Sequence, residues 1–127
     1  MLKFYPTVLG PAVLYRQVSA ALAEMMKYTI NCFMATKVTF FNGIYDIAQT
    51  ASVDYDELRR PVLLDDHINA SHTIVSEECG FGGKRLPKDP HMPFCTARVL
   101  GYDPVMLDAV KRSNEVVRGA AKEAWDD

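Results

Sequence analysis

A lysine and an asparagine one helical turn apart are the first residues in the chain whose types could do chemistry. Lys27 and Asn31 are four positions apart in a proline-free, apolar stretch. On a helix, both would project from the same face into a common space. Such polar pairs are also common on solvated helix surfaces, so the spacing alone does not establish a site.

A second candidate site is the glycine-rich, basic segment from Gly80 to Asp89. Its three glycines within four residues would let backbone N–H groups approach a ligand closely, and a predicted helix N-terminus follows at Asp89. Lys84, Arg85 and Lys88 add three positive charges that would suit a phosphate or a carboxylate. The spacing is not that of a P-loop, and a flexible basic turn is the simpler explanation of the bare pattern.

One long element must position the first pair. From Val18 to Ala51 there is no proline, and apolar residues recur at steps of three and four. This pattern predicts a single amphipathic helix of roughly 30 residues, about 45 Å long. Such a helix exceeds the span of a small globule, so it should either protrude or pack against a second copy. Its broad apolar face favours packing against a second copy.

The remaining elements are read from capping and breaking residues. Asp54 with Glu57 forms a capping signal, and each of two Asp-Pro pairs, at Asp89 and Asp103, opens a helix. Gly101 ends the first of these helices as a C′ residue. No alternation typical of strands is present, so the sequence predicts one all-α domain over residues 1–127. Its predicted segments are an irregular lead-in 1–17, a long helix 18–51, a short helix 54–64, a glycine-containing loop 65–88, and helices 89–101 and 103–125.

Composition restricts the functional class. The formal net charge of −2 predicts no general attraction to nucleic acid or to an anionic membrane. Three cysteines without a C-x-x-C pair or a Cys/His ligand pattern indicate neither disulfides nor a metal site. No apolar run reaches the roughly 20 residues that a membrane-spanning helix needs. We therefore expect a cytoplasmic protein without bound metal.

Five segments resemble one enzyme family in order and spacing. Ala23–Asn31 and Lys37–Asn42 are similar to the opening of the central domain of UDP-glucose and GDP-mannose 6-dehydrogenases, close to A-E-x-x-K-Y-x-x-N and then K-[VI]-x-F-x-N-E. Residues 65–72 resemble the family's D-x-R-I stretch, and residues 80–89 its G-F-G-G-x-C-x-P-K-D signature. Asn114 matches the family's closing asparagine. The likeness covers roughly residues 20–118 and looks nearer to the UDP-glucose type.

The resemblance implies a fold, a reaction and a set of site residues. The expected fold is a long central helix plus a helical bundle, like the C-terminal dimerisation domain of 6-phosphogluconate dehydrogenase. The family oxidises the sugar C6 alcohol in two NAD-dependent steps through a cysteine thioester, with Lys27, Asn31 and Asp89 at the positions that orient oxygen and water and support base chemistry. The positions that the resemblance assigns to ligand binding are Lys27, Asn31, His67, Phe81, Gly82, Gly83, Lys84, Arg85 and Lys88.

The same comparison implies that catalysis is impaired. Arg85 stands where the family has its nucleophilic cysteine, and a guanidinium stays protonated and cannot attack a carbonyl. His67 replaces the arginine of D-x-R-I, and Gly43 replaces the glutamate after Asn42. These 127 residues contain no G-x-G-x-x-G motif, so we expect no NAD to be bound.

Three functional hypotheses remain open on the sequence. The chain is a homodimeric, non-catalytic module that regulates or assembles with a full-length dehydrogenase. Alternatively, it binds a nucleotide sugar or another phosphorylated nucleotide through the glycine-rich segment, where Arg85 could grip a phosphate. As a third possibility, it is one subunit of a split dehydrogenase whose NAD-binding domain is a separate chain.

Overall fold

Three helices make up most of the described structure. The computed structural model describes residues 17–76, 80–81 and 97–123. Helix α1 spans Ala20–Thr50, helix α2 Tyr55–Val62 and helix α3 Val105–Glu123. No strand occurs among these residues, and the all-α prediction is confirmed.

Helix α1 is the scaffold on which the other elements lie. Ser19 caps its start, where the side-chain hydroxyl accepts the Leu22 N–H at 3.2 Å. Its 31 residues extend over about 46 Å. The helix ends where Ser52 adopts a positive φ of 56°, which turns the chain toward α2.

Helix α2 begins at the predicted capping signal. The Asp54 carboxylate accepts the Glu57 N–H at 2.9 Å, which satisfies one of the unpaired donors of the first turn. Pro61 lies in the last turn, and the helix ends one residue later at Val62. Pro61 has no N–H to donate to the Glu57 carbonyl, so the last turn of this short helix lacks one of its hydrogen bonds.

The core lies between the C-terminal part of α1 and helix α2. Phe41, Ala48 and Tyr55 are buried there, with Ile44 and Leu58 among the side chains packed around them. The rings of Tyr45 and Tyr55 meet edge to face with centroids 5.4 Å apart.

The chain enters α3 through a glycine turn. Residues 97–99 are helical, and Gly101 follows with φ 78°. The Gly101 N–H donates to Arg98 O and the Tyr102 N–H to Ala97 O, at 3.0 and 2.8 Å, which is the hydrogen-bond pattern of a glycine C-cap. An ion pair of 2.6 Å between Arg98 and Asp108 ties this turn to α3.

Several predicted segments lie outside the described residues. They are the lead-in up to residue 16, the start of the helix predicted over 89–101, residues 124–125 of the last predicted helix, and most of the glycine-rich segment.

Candidate functional site

Lys27 and Asn31 lie one turn apart in the N-terminal part of α1. Lys27 is exposed and Asn31 is half-buried. The Lys27 ammonium is 5.9 Å from the centroid of the neighbouring Tyr28 ring, near the outer limit of a cation–π contact. The two polar groups that the sequence singled out therefore belong to an accessible stretch of the long helix.

His67 occupies an exposed turn after α2. Its backbone N–H donates to Asp65 Oδ1 at 2.8 Å, and its ring Nδ1 lies 2.7 Å from the same oxygen. The backbone hydrogen bond and then the side-chain contact stabilise the carboxylate, so the pKa of Asp65 is lower than usual.

The turn that carries His67 is fixed to both α1 and α2. The Lys37 ammonium donates to the carbonyl and to the side-chain oxygen of Asn69, at 2.7 and 2.8 Å. Farther along, Thr73 is fully buried; its carbonyl accepts the Tyr55 hydroxyl at 2.6 Å, and its hydroxyl accepts Arg59 Nε at 2.8 Å. The position of the turn is thus set by polar contacts at both of its ends.

Gly80 and Phe81 are held by three side chains that we call the peptide clamp: Asn42 on α1, and Asn114 and Arg118 on α3. Asn42 Oδ1 accepts the Gly80 N–H at 3.0 Å. Asn114 accepts the Phe81 N–H at 2.7 Å and donates to the Phe81 carbonyl at 3.2 Å. Arg118 donates to the same carbonyl at 3.1 Å.

Gly80 is required where the chain enters the clamp. Its φ of 66° lies in the left-handed region that side chains disfavour. A Cβ placed on Gly80 would overlap the Asn114 side-chain oxygen. The first glycine of the glycine-rich segment therefore allows the backbone to lie close to Asn114 on α3.

The described structure brings together some of the predicted site residues and separates others. Asn31 and Asn42 are eleven positions apart on α1, which corresponds to about 16 Å along the helix axis. Phe81, at the level of Asn42, is consequently remote from Lys27 and Asn31. The other predicted residues of the segment lie outside the described residues: Gly82, Gly83, Lys84, Arg85, Lys88 and Asp89.

The sequence alone predicts no role for the clamp. Asn42 and Asn114 are matches to family motifs, and Arg118 belongs to no motif. One available signal was the spacing of Asn114 and Arg118, which are four positions apart in the last predicted helix. Its partner, the Phe81 peptide, is 33 positions from Asn114, so no local pattern could reveal it.

Two general features of the described residues bear on function. No helix among them is long and apolar enough to cross a lipid bilayer. Within the same residues, no three side chains of His, Cys, Asp or Glu are grouped so that they could hold a metal ion.

Comparison with known proteins identifies the family of this chain. Residues 21–116 match the model of the UDP-glucose/GDP-mannose dehydrogenase family, central domain. The GDP-mannose 6-dehydrogenase of Azotobacter vinelandii is 39% identical over 94 residues, which are 74% of this chain and 22% of that enzyme. The corresponding enzyme of Pseudomonas syringae pv. tomato is 42% identical over 94 residues, with the same coverage of 74% and 22%. The UDP-glucose 6-dehydrogenase of Pseudomonas aeruginosa is 37% identical over 92 residues, 72% of this chain and 20% of the enzyme.

These identities do not favour the UDP-glucose type over the GDP-mannose type, contrary to what the motifs suggested. The chain spans about a fifth of the length of the curated relatives it matches. The match of the family model over residues 21–116, together with the helical fold, shows that the chain belongs to the UDP-glucose/GDP-mannose dehydrogenase family and carries its central domain.

Proposed function

We propose that this chain is a self-associating helical module in which α1 of one copy pairs with α1 of a second copy. The observation that carries the proposal is a row of exposed apolar side chains, which we call the α1 ridge: Met26, Phe33, Phe40 and Ile47. Their exposed fractions are 47%, 60%, 58% and 64%. Because they recur every seven residues, they follow one line along the helix, as in the seam of a coiled coil.

Small residues alternate with the ridge side chains. Thr29, Thr36 and Gly43 lie three positions after Met26, Phe33 and Phe40 in turn. The hydroxyls of Thr29 and Thr36 donate to backbone carbonyls of α1 itself, both at 2.8 Å, so they need no partner elsewhere. This alternation of large and small side chains suits close packing of one helix against another.

The ridge is bordered by apolar grooves on two sides. Phe40 and Ile47 line a groove of about 440 Å³ toward α2 and another of about 600 Å³ toward α3. Asp46 and Arg112, of opposite charge, also line the second groove. A ridge beside a groove is self-complementary under two-fold symmetry, which is the commonest symmetry of protein dimers.

The exposed apolar surface of α1 is large enough for a dimer. Seven large side chains of this helix are about half exposed: Leu22, Met25, Met26, Ile30, Phe33, Phe40 and Ile47. Together they offer roughly 600 Å² of apolar surface, which approaches the ~800 Å² per partner of a standard interface. An exposed apolar patch of this size is typical of an association surface.

Replacing one ridge residue by a charge tests the dimer. We expect the parent chain to sediment at twice its mass of 14.2 kDa, and Phe33→Glu to sediment as a monomer, because the carboxylate would be buried unpaired at the interface. Leu64→Glu is the matched control, since Leu64 is 83% exposed and lies outside α1. A parent chain that is monomeric at micromolar concentration would contradict the proposal.

Gly43 allows a more selective test. A Cβ at this position meets nothing within 4 Å, and replacing a mid-helix glycine generally stabilises a helix by roughly 0.5–1 kcal/mol. Gly43→Leu should therefore keep or raise the helix content of the monomer while preventing close approach of a second α1. Equal dimer affinity in this variant and the parent would show that the helices do not pair at Gly43.

We further propose that the module does not itself oxidise sugars and instead pairs with a full-length dehydrogenase of its family. Arg85 supports the first statement, since the thioester route requires a thiolate at that position. The 39–42% identity to full-length relatives supports the second, because it covers the stretch that contains α1.

Mixed dimers can be measured directly. We expect this chain, co-expressed with a full-length relative, to co-purify with it and to lower NADH formation per dehydrogenase subunit. The Phe33→Glu chain is the control, because it lacks the pairing surface and should leave that rate unchanged. If both chains lower the rate equally, pairing through the ridge is not the cause.

A second candidate function is binding of a nucleotide sugar by the glycine-rich segment. The peptide clamp favours it, because the clamp fixes the entry to a sequence that carries Lys84, Arg85 and Lys88. UDP-glucose, UDP-glucuronate or GDP-mannose at about 100 times its Kd should add about 2.7 kcal/mol to the unfolding free energy. We expect this stabilisation to be lost in Arg85→Ala, and no shift with any of the three ligands would exclude the function.

A further inference from the structure

Large and small side chains alternate along one face of α1. The large ones form the α1 ridge, and a small residue lies three positions after each of them: Thr29, Thr36, Gly43 and Thr50. The Thr50 hydroxyl, like those of Thr29 and Thr36, donates to a carbonyl of α1 itself, at 2.9 Å. Because both sets recur every seven residues, they occupy the two positions of a coiled-coil seam, one large and one small.

This alternation distinguishes a parallel pair of helices from an antiparallel one. In a parallel two-fold dimer each residue faces its own counterpart, so Phe33 would meet Phe33 and Gly43 would meet Gly43. Such helices would be crowded at one level and would leave a void at the next, and both defects destabilise packing. In an antiparallel pair the large position of one helix faces the small position of the other, so every level can have the same width.

One antiparallel register matches every ridge residue with a small residue of the second copy. The pairs are Met26 with Thr50, Phe33 with Gly43, Phe40 with Thr36, and Ile47 with Thr29. Both members of each pair are equally distant from Val38, so the two-fold axis passes beside this residue, close to the middle of α1. A shift by seven residues in either direction would leave Met26 or Ile47 without a small residue opposite.

The same register covers the exposed half of α1. In antiparallel order, residues 25–33 of one copy lie beside residues 43–51 of the other. The first stretch contains Met25, Ile30 and Phe33, which are 55%, 55% and 60% exposed. The second stretch lines both apolar grooves, toward α2 and toward α3. Each copy therefore offers grooves at the level where the other offers exposed apolar side chains.

We propose that α1 pairs with α1 of a second copy of this chain in antiparallel order, with Phe33 of each copy packed against Gly43 of the other. This inference rests on the self-association proposed above and adds its orientation and register. Gly43 is the smallest residue of the seam and lines the groove of about 600 Å³ toward α3. Two-fold symmetry makes the contact between Phe33 and Gly43 occur twice, so a change at either position acts twice on the affinity of the dimer.

Reversing the large and small residues at one level tests the register. Gly43→Leu places a side chain against Phe33 of the second copy, and we expect the dimer dissociation constant from sedimentation to rise by about tenfold or more. Adding Phe33→Ala to the same chain makes room for the leucine. The double variant should therefore dimerise about tenfold or more tightly than Gly43→Leu alone, which is a strong coupling between the two positions.

Gly43→Leu with Phe40→Ala is the matched control. It has the same composition as the other double variant, but the ring that it removes faces Thr36 and not Gly43. This chain should dimerise no better than Gly43→Leu. All of these variants should keep the helical circular dichroism of the parent, since a Cβ at Gly43 meets nothing within 4 Å and both phenylalanine rings are exposed.

Mixing two chains gives a second measurement, which also decides the matter if a double variant does not fold. A mixed dimer of the Gly43→Leu chain and the Phe33→Ala chain has one leucine–alanine and one phenylalanine–glycine contact, and neither is crowded. Native mass spectrometry should show this mixed dimer in excess over the Gly43→Leu homodimer. Mixing with the Phe40→Ala chain should give less mixed dimer, because the introduced leucine still meets one Phe33 ring.

The possible results separate the register from self-association. Rescue by Phe40→Ala in place of Phe33→Ala, rescue by both equally or by neither, or parent-like dimerisation of Gly43→Leu overturns the proposed register. Self-association stands in each of these cases as long as the parent sediments as a dimer. A monomeric parent contradicts self-association, and this inference with it.

Discussion

The two halves of α1 both carry large apolar side chains but have different surroundings. All of its buried residues lie in the C-terminal half: Ala35, Phe41, Asn42 and Ala48. In the N-terminal half, residues 20–34, large apolar side chains such as Met26 and Phe33 stay about half exposed. One continuous helix therefore carries the buried core residues in its C-terminal half and exposed apolar side chains along its whole length.

The largest expected effect contrasts core and ridge. In the monomeric Phe33→Glu background, Phe41→Ala should lower the unfolding free energy by about 3–5 kcal/mol, because it removes a buried ring and leaves a cavity. Met26→Ala in the same background should cost less than about 0.5 kcal/mol, as an exposed residue. Urea denaturation gives both values, and equal costs would mean that the N-terminal half is packed in the monomer.

Removing the Tyr55 hydroxyl should have the next largest effect on the unfolding free energy. Tyr55→Phe keeps the ring against Tyr45 but leaves the buried Thr73 carbonyl without its donor, at a cost of about 1–3 kcal/mol. Burial raises the pKa of Tyr55 above 10.0, so the folded state disfavours the phenolate. The parent should therefore lose stability as the pH rises above 10 through this raised pKa, and the phenylalanine variant should lose less.

Removing the N-caps of α2 and α1 compares a helix end beside the core with an exposed helix end. Asp54→Ala removes the cap of α2 directly beside the buried Tyr55 and should cost about 1 kcal/mol in global unfolding. Ser19→Ala removes the cap of α1 at its unpacked end, where the first turn can fray without exposing the core. Its effect on thermal unfolding should be smaller, and a larger effect than that of Asp54→Ala would refute the comparison.

Replacing Lys37, which lies near the boundary between the two halves of α1, should have the smallest effect on stability. Lys37→Met removes the two hydrogen bonds to Asn69, for which we expect a loss of about 0.5–1 kcal/mol since the contact is exposed. The change should appear by NMR as faster exchange of the Ile68 and Ser71 amides. Unchanged exchange would mean that Thr73 alone holds the turn.

Local signals were sufficient to predict helices α1 and α2 but insufficient to predict the peptide clamp. The apolar spacing predicted the long helix, and the Asp54 signal located a cap, because both depend on residues a few positions apart. The same spacing could not distinguish buried Phe41 from exposed Phe33, since both are apolar and their burial depends on what packs against α1. The clamp joins residues 42, 80–81, 114 and 118, and only the tertiary fold brings these together.

The contact between Gly80 and Asn114 limits the order in which this protein can change by single substitutions. A side chain at position 80 meets the Asn114 oxygen, so a smaller residue at position 114 would relieve the overlap, although the strain of the positive φ would remain. A smaller residue at 114 removes both Asn114 hydrogen bonds to Phe81 and leaves only Arg118 on the Phe81 carbonyl, so the first change lowers stability before a second one is made. The residue tolerated at each position therefore depends on the residue at the other, and the stability changes in a double-mutant cycle between positions 80 and 114 should be strongly non-additive.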